Sequence, residues 1–165
     1  MSFRMPTTDT IHIGIDPGTH RIGFGVVSVR GDRLDPVEYG VIENTGTDRV
    51  AHMRHVESGL ESLVARWSPS SVGVERLFFS TNRKTAMAVG EMRGVILATV
   101  SRLDVPVREF TPLEIKRMVC GYGKADKAQV QRMVRTILRI AEPIRPDDAA
   151  DALAIALCCC TSPLS

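Results

Sequence analysis

Along this chain the apolar positions recur now every second residue, now every three or four, and the changes of period mark out its elements. Residues 11–16, Ile-His-Ile-Gly-Ile-Asp, alternate like a strand and run into the turn formers Pro17-Gly18. Residues 21–30, rich in Val, Gly and Phe, read as the partner strand of a hairpin. Gly31-Asp32 and Asp35-Pro36 supply turn chemistry before a third strand over 37–43. From 47 to 67 the apolar positions Val50, Met53, Val56, Leu60, Leu63, Val64 and Trp67 fall at helical spacing, and Ser68-Pro69 ends the pattern.

The second half repeats the alternation of types. Residues 71–75 form a short buried strand, 82–102 a helix, 105–110 a strand, 111–119 and 127–139 two helices around a loop, and 147–160 a last helix. The order βββαβαβααα predicts an α/β fold: a mixed five-stranded sheet flanked by helices on both faces. On the 82–102 helix Ala86, Gly90, Gly94 and Ala98 stand four apart and make one smooth face, suited either to packing on the sheet or to a subunit interface.

The chain has 165 residues, 44% of them hydrophobic and 24% charged, which is enough for one core without disulfides. The expected organisation is a flexible extension over 1–10, a single domain over 11–160 and a tail over 161–165. No apolar run reaches the roughly 20 residues of a membrane span. The start, with Arg4 but no apolar stretch after it, lacks the pattern of a secretory signal, so a cytoplasmic location is expected. Cys120 stands alone and Cys158, Cys159 and Cys160 are consecutive, which matches neither a disulfide framework nor a zinc motif; reduced, partly buried thiols are expected.

Charge sharpens the picture through its distribution rather than its sum. Residues 76–135 carry twelve Lys and Arg against five Asp and Glu, a net of +7 within a chain of net +2. Such segregation suits a surface for a polyanion, or a solvated helix face.

Three acidic sites carry candidate chemistry. Asp16 ends the first strand, where a turn former is the plain alternative to a functional carboxylate. Glu75 ends the buried run Val72-Gly73-Val74 and so needs a salt-bridge partner or a cation. Asp147, Asp148 and Asp151 open the last helix. Asp147 suits an N-cap, whereas Asp148 and Asp151, three apart, share one face beside small alanines. Carboxylates with few His or Cys nearby suit Mg²⁺ or Mn²⁺, and a pair of such ions about 3.5–4 Å apart is the apparatus of phosphodiester hydrolysis.

The segments Ile13-Gly14-Ile15-Asp16-Pro17-Gly18 to Gly25, Glu75-Arg76-Leu77-Phe78 and Asp148-Ala149-Ala150-Asp151-Ala152-Leu153-Ala154 resemble the bacterial RuvC-type Holliday-junction resolvases, an RNase H-like group. The likeness also takes in Lys116, Gly121-Tyr122-Gly123, Lys127 and the stretch 129–135. It implies a homodimer that binds a four-way DNA junction, makes paired nicks in opposing strands in recombination and repair, and works with the RuvA-RuvB branch-migration complex. By the same resemblance Asp16, Glu75, Asp148 and Asp151 hold two Mg²⁺ ions, with Mn²⁺ a possible substitute. The resemblance likewise implies that Lys116 and Lys127 lie near the scissile phosphate. It also implies that Phe78 stacks on bases at the junction point, and because neighbours on an extended segment point opposite ways Phe79 is expected in the core. Asn82, Arg83, Lys84 and Lys124 are expected to contact DNA.

Three rival readings are weighed against it. The first is a nucleotide-binding fold with a phosphate hairpin at 16–19, which needs a second such hairpin the chain lacks. The others are a junction-binding protein without catalysis, and another RNase H-like nuclease.

Overall fold

The computed structural model describes residues 9–43, 48–76 and 83–161, with the side chains of 83–85 left aside. Ten elements follow in chain order: β1 (Thr10–Asp16), β2 (Arg21–Arg30), β3 (Arg33–Glu43), α1 (Arg49–Trp67), β4 (Ser71–Glu75), α2 (Arg83–Arg102), β5 (Val107–Phe110), α3 (Pro112–Cys120), α4 (Lys127–Leu138) and α5 (Asp147–Thr161). The expected order of types is therefore present, and the five strands make one mixed sheet in the order β3-β2-β1-β4-β5. β1, β2 and β3 pair antiparallel, while β4 lies parallel to both β1 and β5.

Strand β3 starts four residues earlier than its pattern suggests, because Asp35-Pro36 does not break it. The register shifts between Val26 and Val27, with Val27 opposite Pro36. An edge strand tolerates a proline at such a bulge, where no ladder donor is missed. At the chain ends the boundaries also move. Thr10 already belongs to β1, and Asp9 takes a two-point hydrogen bond from Arg30 at 2.6 Å. Thr161 still belongs to α5, so of the expected extension and tail only 1–8 and 162–165 fall outside the described residues.

Each face of the sheet buries its own core. On one side Ile13, Ile15, Ile22, Val26, Val72 and Val74 pack with Val56 and Leu60 of α1 and with Met92, Ile96 and Val100 of α2. On the other, α5 lies directly on β1, β2 and β4, and α3 and α4 cover α5 through Ile115, Val119, Val130, Val134 and Leu138. Residues 152–159 of α5 are buried without a break. A helix apolar all round is the one that sits in the middle of a layer.

That layer is unusually close because the sheet under α5 is paved with glycine. A Cβ on Gly14 would stand 2.0 Å from the Ala152 carbonyl oxygen, and one on Gly23 2.1 Å from that of Asp148. Gly25 meets Leu153 and Gly73 meets Ile155 and Cys159 in the same way. The four cysteines are free. Burial first of all pushes the Cys158 and Cys160 thiols up to about 12 and that of Cys159 to about 11, so they pack as small apolar groups.

The smooth face of α2 does not pack on the sheet. Met92, Ile96, Thr99 and Val100 are the buried residues, whereas Gly94 and Ala98 are exposed and a Cβ on Gly94 would touch nothing within 4 Å. Among the described residues no helix is long and apolar enough to cross a membrane.

Candidate active site

The two-residue period of the strands places the first two carboxylates. Gly14 and Gly73 face α5, so Asp16 and Glu75, each two residues further on, point to the same side at the same end of neighbouring parallel strands. The first turns of α5 lie over that end and bring Asp148 and Asp151 to them. Asp16, Glu75 and Asp151 thus line a cleft of about 220 Å³ together with Lys116 and Lys127, walled by Ile115 of α3 and Val130 of α4. Asp148 turns toward Arg21, with its carboxylate 3.8 Å from the guanidinium, and its charge still reaches both Asp16 and Asp151.

Local sequence fixes the two lysines. Thr111 and Glu114 form a capping box that starts α3, and Gly121 ends that helix in the left-handed conformation (φ 83°). Asp126 and Gln129 form a second box, so Lys127 is the first residue of α4. Its ammonium donates to Asp151 at 2.9 Å and stands 3.7 Å from Asp147. Behind Glu75, Arg93 of α2 donates to the Glu75 carbonyl at 3.3 Å and ion-pairs with Glu109 of β5, which ties the end of β4 to both neighbours.

Electrostatics show that these acids are held against their preference. Burial, then the charges of Asp151, Glu75 and Asp148, push the Asp16 carboxyl up to about 7, and Lys127 offsets only part of this. Glu75 is raised by burial and by Asp151, and Asp151 is raised by burial despite its bond to Lys127. The Asp151 hydrogen bond in turn raises Lys127, so that lysine stays charged. Asp16 faces the cleft, and among the described residues neither its side chain nor that of Glu75 has an ion-pair partner. Carboxylates crowded in this way raise one another's pKa, and a cation placed among them would relieve that repulsion.

The donor set fits a hard divalent ion, being all carboxylate oxygen. Among the described residues no three acids close on a single point as a finished cage. An open arrangement is what Mg²⁺ uses, since it keeps several waters and takes part of its coordination from substrate phosphate.

Asp147 departs from its expected role as the N-cap. It is the first helical residue, and its carboxylate accepts from Arg145 at 3.0 Å, while the Pro146 carbonyl before it accepts from Ala149. Lys124 is exposed on the turn between α3 and α4. Phe78, Phe79 and Asn82 lie outside the described residues, and Arg83 and Lys84 stand in the first turn of α2. The glycine lane under α5 is a contributor that the sequence reading passed over. Its signal was the repeated Gly-x-acid pattern, Gly14-Ile15-Asp16 and Gly73-Val74-Glu75.

A mixed sheet of this topology with acids at two adjacent strand ends and at the start of a covering helix defines an RNase H-like nuclease. The comparisons narrow the class. The family described as crossover junction endodeoxyribonuclease RuvC matches residues 12–159, and the chain belongs to it. A relative of that name from Heliobacterium modesticaldum is 44% identical over 151 residues, 91% of this chain and 93% of its own. One from Moorella thermoacetica is 46% identical over 147 residues, 88% of each chain. The structure of Thermus thermophilus RuvC in complex with a Holliday junction substrate superposes with a TM-score of 0.85 at 33% identity, covering 90% of this chain and 92% of that one. The yeast mitochondrial Holliday junction resolvase shares the fold, with a TM-score of 0.63 at 14% identity over 94% and 81% of the two chains.

Proposed function

We propose that the protein is a homodimeric resolvase that cuts four-way DNA junctions by symmetric nicks in opposing strands, leaving 5′-phosphate ends that a ligase can seal. The observation that carries this is the meeting of Asp16, Glu75 and Asp151 with Lys116 and Lys127 in one cleft, on a chain of the RuvC family. Two Mg²⁺ ions, or Mn²⁺ in their place, would activate the attacking water and stabilise the leaving oxygen. Asp16, Glu75, Asp148 and Asp151 would hold them, and their mutual repulsion in the free protein is the reason they do so. Lys116 and Lys127 supply fixed positive charge where negative charge grows on the scissile phosphate. Phe78 is assigned to stacking on an unpaired base at the junction point, and Asn82, Arg83, Lys84 and Lys124 to phosphate contacts. Family membership supports operation as one nuclease domain in the cytoplasm, alongside the RuvA-RuvB complex.

The decisive assay gives the purified protein a mobile four-way junction, a linear duplex and a single strand, each with Mg²⁺ or with EDTA. Ligatable paired nicks in the junction alone, lost with EDTA, are expected. Tight binding without cutting would reduce the protein to a junction binder, and equal cutting of duplex or RNA would make it a general RNase H-like nuclease.

Lys127→Ala is expected to slow cutting of a saturated junction by roughly 100-fold, the cost of one charged donor at a developing oxyanion. Single-turnover kinetics measures it, and an unchanged rate would show that Lys127 serves only to pair with Asp151.

The dimer is assigned to the α1–α2 side. There an open groove of about 320 Å³ runs between the helices past Ala98, Val50 is 54% exposed, and Met87, next to Ala86, is 71% exposed. A two-fold pair would present two clefts to the two equivalent strands of a junction. Gly94→Glu, which meets no neighbour within the chain, is expected to give a folded monomer that nicks poorly; sedimentation that still shows a dimer would refute this assignment.

A further inference from the structure

Helix α4 carries positive charge well beyond the cleft. Between Lys127 and Arg145 the chain has five basic residues and a single acid, Glu142. Arg132, Arg135 and Arg139 recur at helical spacing and line, with Thr136, Ile140 and Ala141, an open depression of about 390 Å³. The three arginines are held differently. Arg135 closes the helix end by donating to the Ile140 carbonyl at 3.4 Å and to that of Ala141. Arg139 ends the helix in the left-handed conformation (φ 56°). Arg132 and Arg139 are both exposed, and neither has an ion-pair partner among the described residues. Several other surface arginines are neutralised, Arg30 by Asp9, Arg33 by Asp35, Arg66 by Glu38, and Arg102 by Glu57 and Glu61, whereas exposed Arg54 and Arg117 have no ion-pair partner among the described residues either.

The stripe has a direction. It begins at the end of α4 whose first residue, Lys127, reaches into the cleft, and it runs toward the edge strand β3, which α4 meets. Lys127 and Arg139 stand twelve positions apart along α4, about 18 Å. That length matches the phosphates of about five base pairs of duplex, which rises about 3.4 Å per pair. Arginine in a concave surface offers its planar fork to two oxygens of one phosphate.

We infer that the Arg132–Arg135–Arg139 depression is a second DNA contact, which grips the sugar-phosphate backbone of the duplex arm about five base pairs away from the cut. The inference rests on the resolvase reading and extends it from the cleft to the arm. Contacts of this kind fix the register of the duplex without reading sequence.

The test compares wild type with the Arg132→Gln/Arg139→Gln double variant, both as full chains, on junctions with long arms and with arms of four base pairs. On long arms the variant is expected to bind at least about tenfold more weakly at 100 mM salt. Its plot of log affinity against log salt should be shallower by about 1.8, two phosphate contacts at about 0.9 each. The single-turnover cutting rate at saturating protein should be unchanged, and the two proteins should bind the short-armed junction alike. Arg132→Lys/Arg139→Lys should restore most of the slope. Equal affinity and equal salt slope on long arms, with a wild type that binds and cuts normally, would overturn the inference and leave the arginines to an acidic protein partner. A wild type that neither binds nor cuts junctions would overturn the resolvase reading instead.

Discussion

Replacing Asp16 with Asn is expected to abolish junction cutting, by about 10³-fold or more, and at the same time to make the metal-free protein more stable. Both effects come from one cause. Asp16 is half-buried at the end of β1 among three other acids, and its carboxyl is pushed up to about 7 from its ordinary value of 3.8. The folded chain therefore binds a proton that the unfolded chain releases. Below the unfolded value this acid costs the fold nothing; as pH rises from about 4 to 7 the cost accumulates, and above 7 it stays constant. An asparagine of the same shape carries no such cost. Above pH 7 without metal the variant should be stabilised on the order of 2–4 kcal/mol, seen as roughly 5–10 °C in Tm, and the difference should shrink toward pH 4. Adding Mg²⁺ should raise the Tm of the wild type and leave the variant nearly unmoved, because only the wild type has the full set of donors. Melting curves at several pH values with and without Mg²⁺ measure this directly. A variant that melts below wild type at pH 8 without metal would show that Asp16 is satisfied by the protein itself and is no waiting metal ligand.

The sequence made the architecture readable because period-two and helical patterns rarely overlap in this chain. IHIGID, SVGVE and the Val50–Trp67 repeat each fit one period only, and each became the element it predicts. The exceptions have physical causes. A proline suggested a turn inside β3, but edge strands and bulges accommodate it, and no local pattern reveals which strand is an edge. Asp147 suited a cap, but Arg145 two residues before it competes for the carboxylate. The acids of the site were legible as residue types in unusual places: a carboxylate closing a buried strand, and Asp151 on a helix otherwise apolar. Their convergence was not. Nothing local says that α5 runs across β1 and β4 with its first turn over the strand ends; that follows from packing at long range. Of the arginines of α4, Arg132 and Arg135 fell within the basic segment 76–135, while Arg139 lay beyond it, and the depression they share and the lack of ion-pair partners for Arg132 and Arg139 among the described residues required coordinates.

Gly14→Ala should damage both stability and cutting although it touches no catalytic group. The added methyl would stand 2.0 Å from the Ala152 carbonyl oxygen and 2.4 Å from the Ala156 nitrogen, both backbone atoms of α5. No rotamer change relieves contact with backbone, so the helix must rise from the sheet. Overpacking of this kind costs about 3 kcal/mol, which lowers Tm by roughly 6–12 °C in a chain of this size. Because Asp148 and Asp151 stand in the first two turns of that helix, lifting it also draws them away from Asp16 and Glu75, which belong to the sheet. A displacement of about 1 Å at reacting groups costs on the order of 100-fold in rate, so cutting should fall by about that factor even far below the new Tm. Junction binding should persist, since the basic residues of α3 and α4 move little with respect to each other. The decisive comparison is of single-turnover rate and Tm together. If the variant melted and cut like wild type, α5 could not lie on Gly14, and the glycine lane would not be what brings the four acids together.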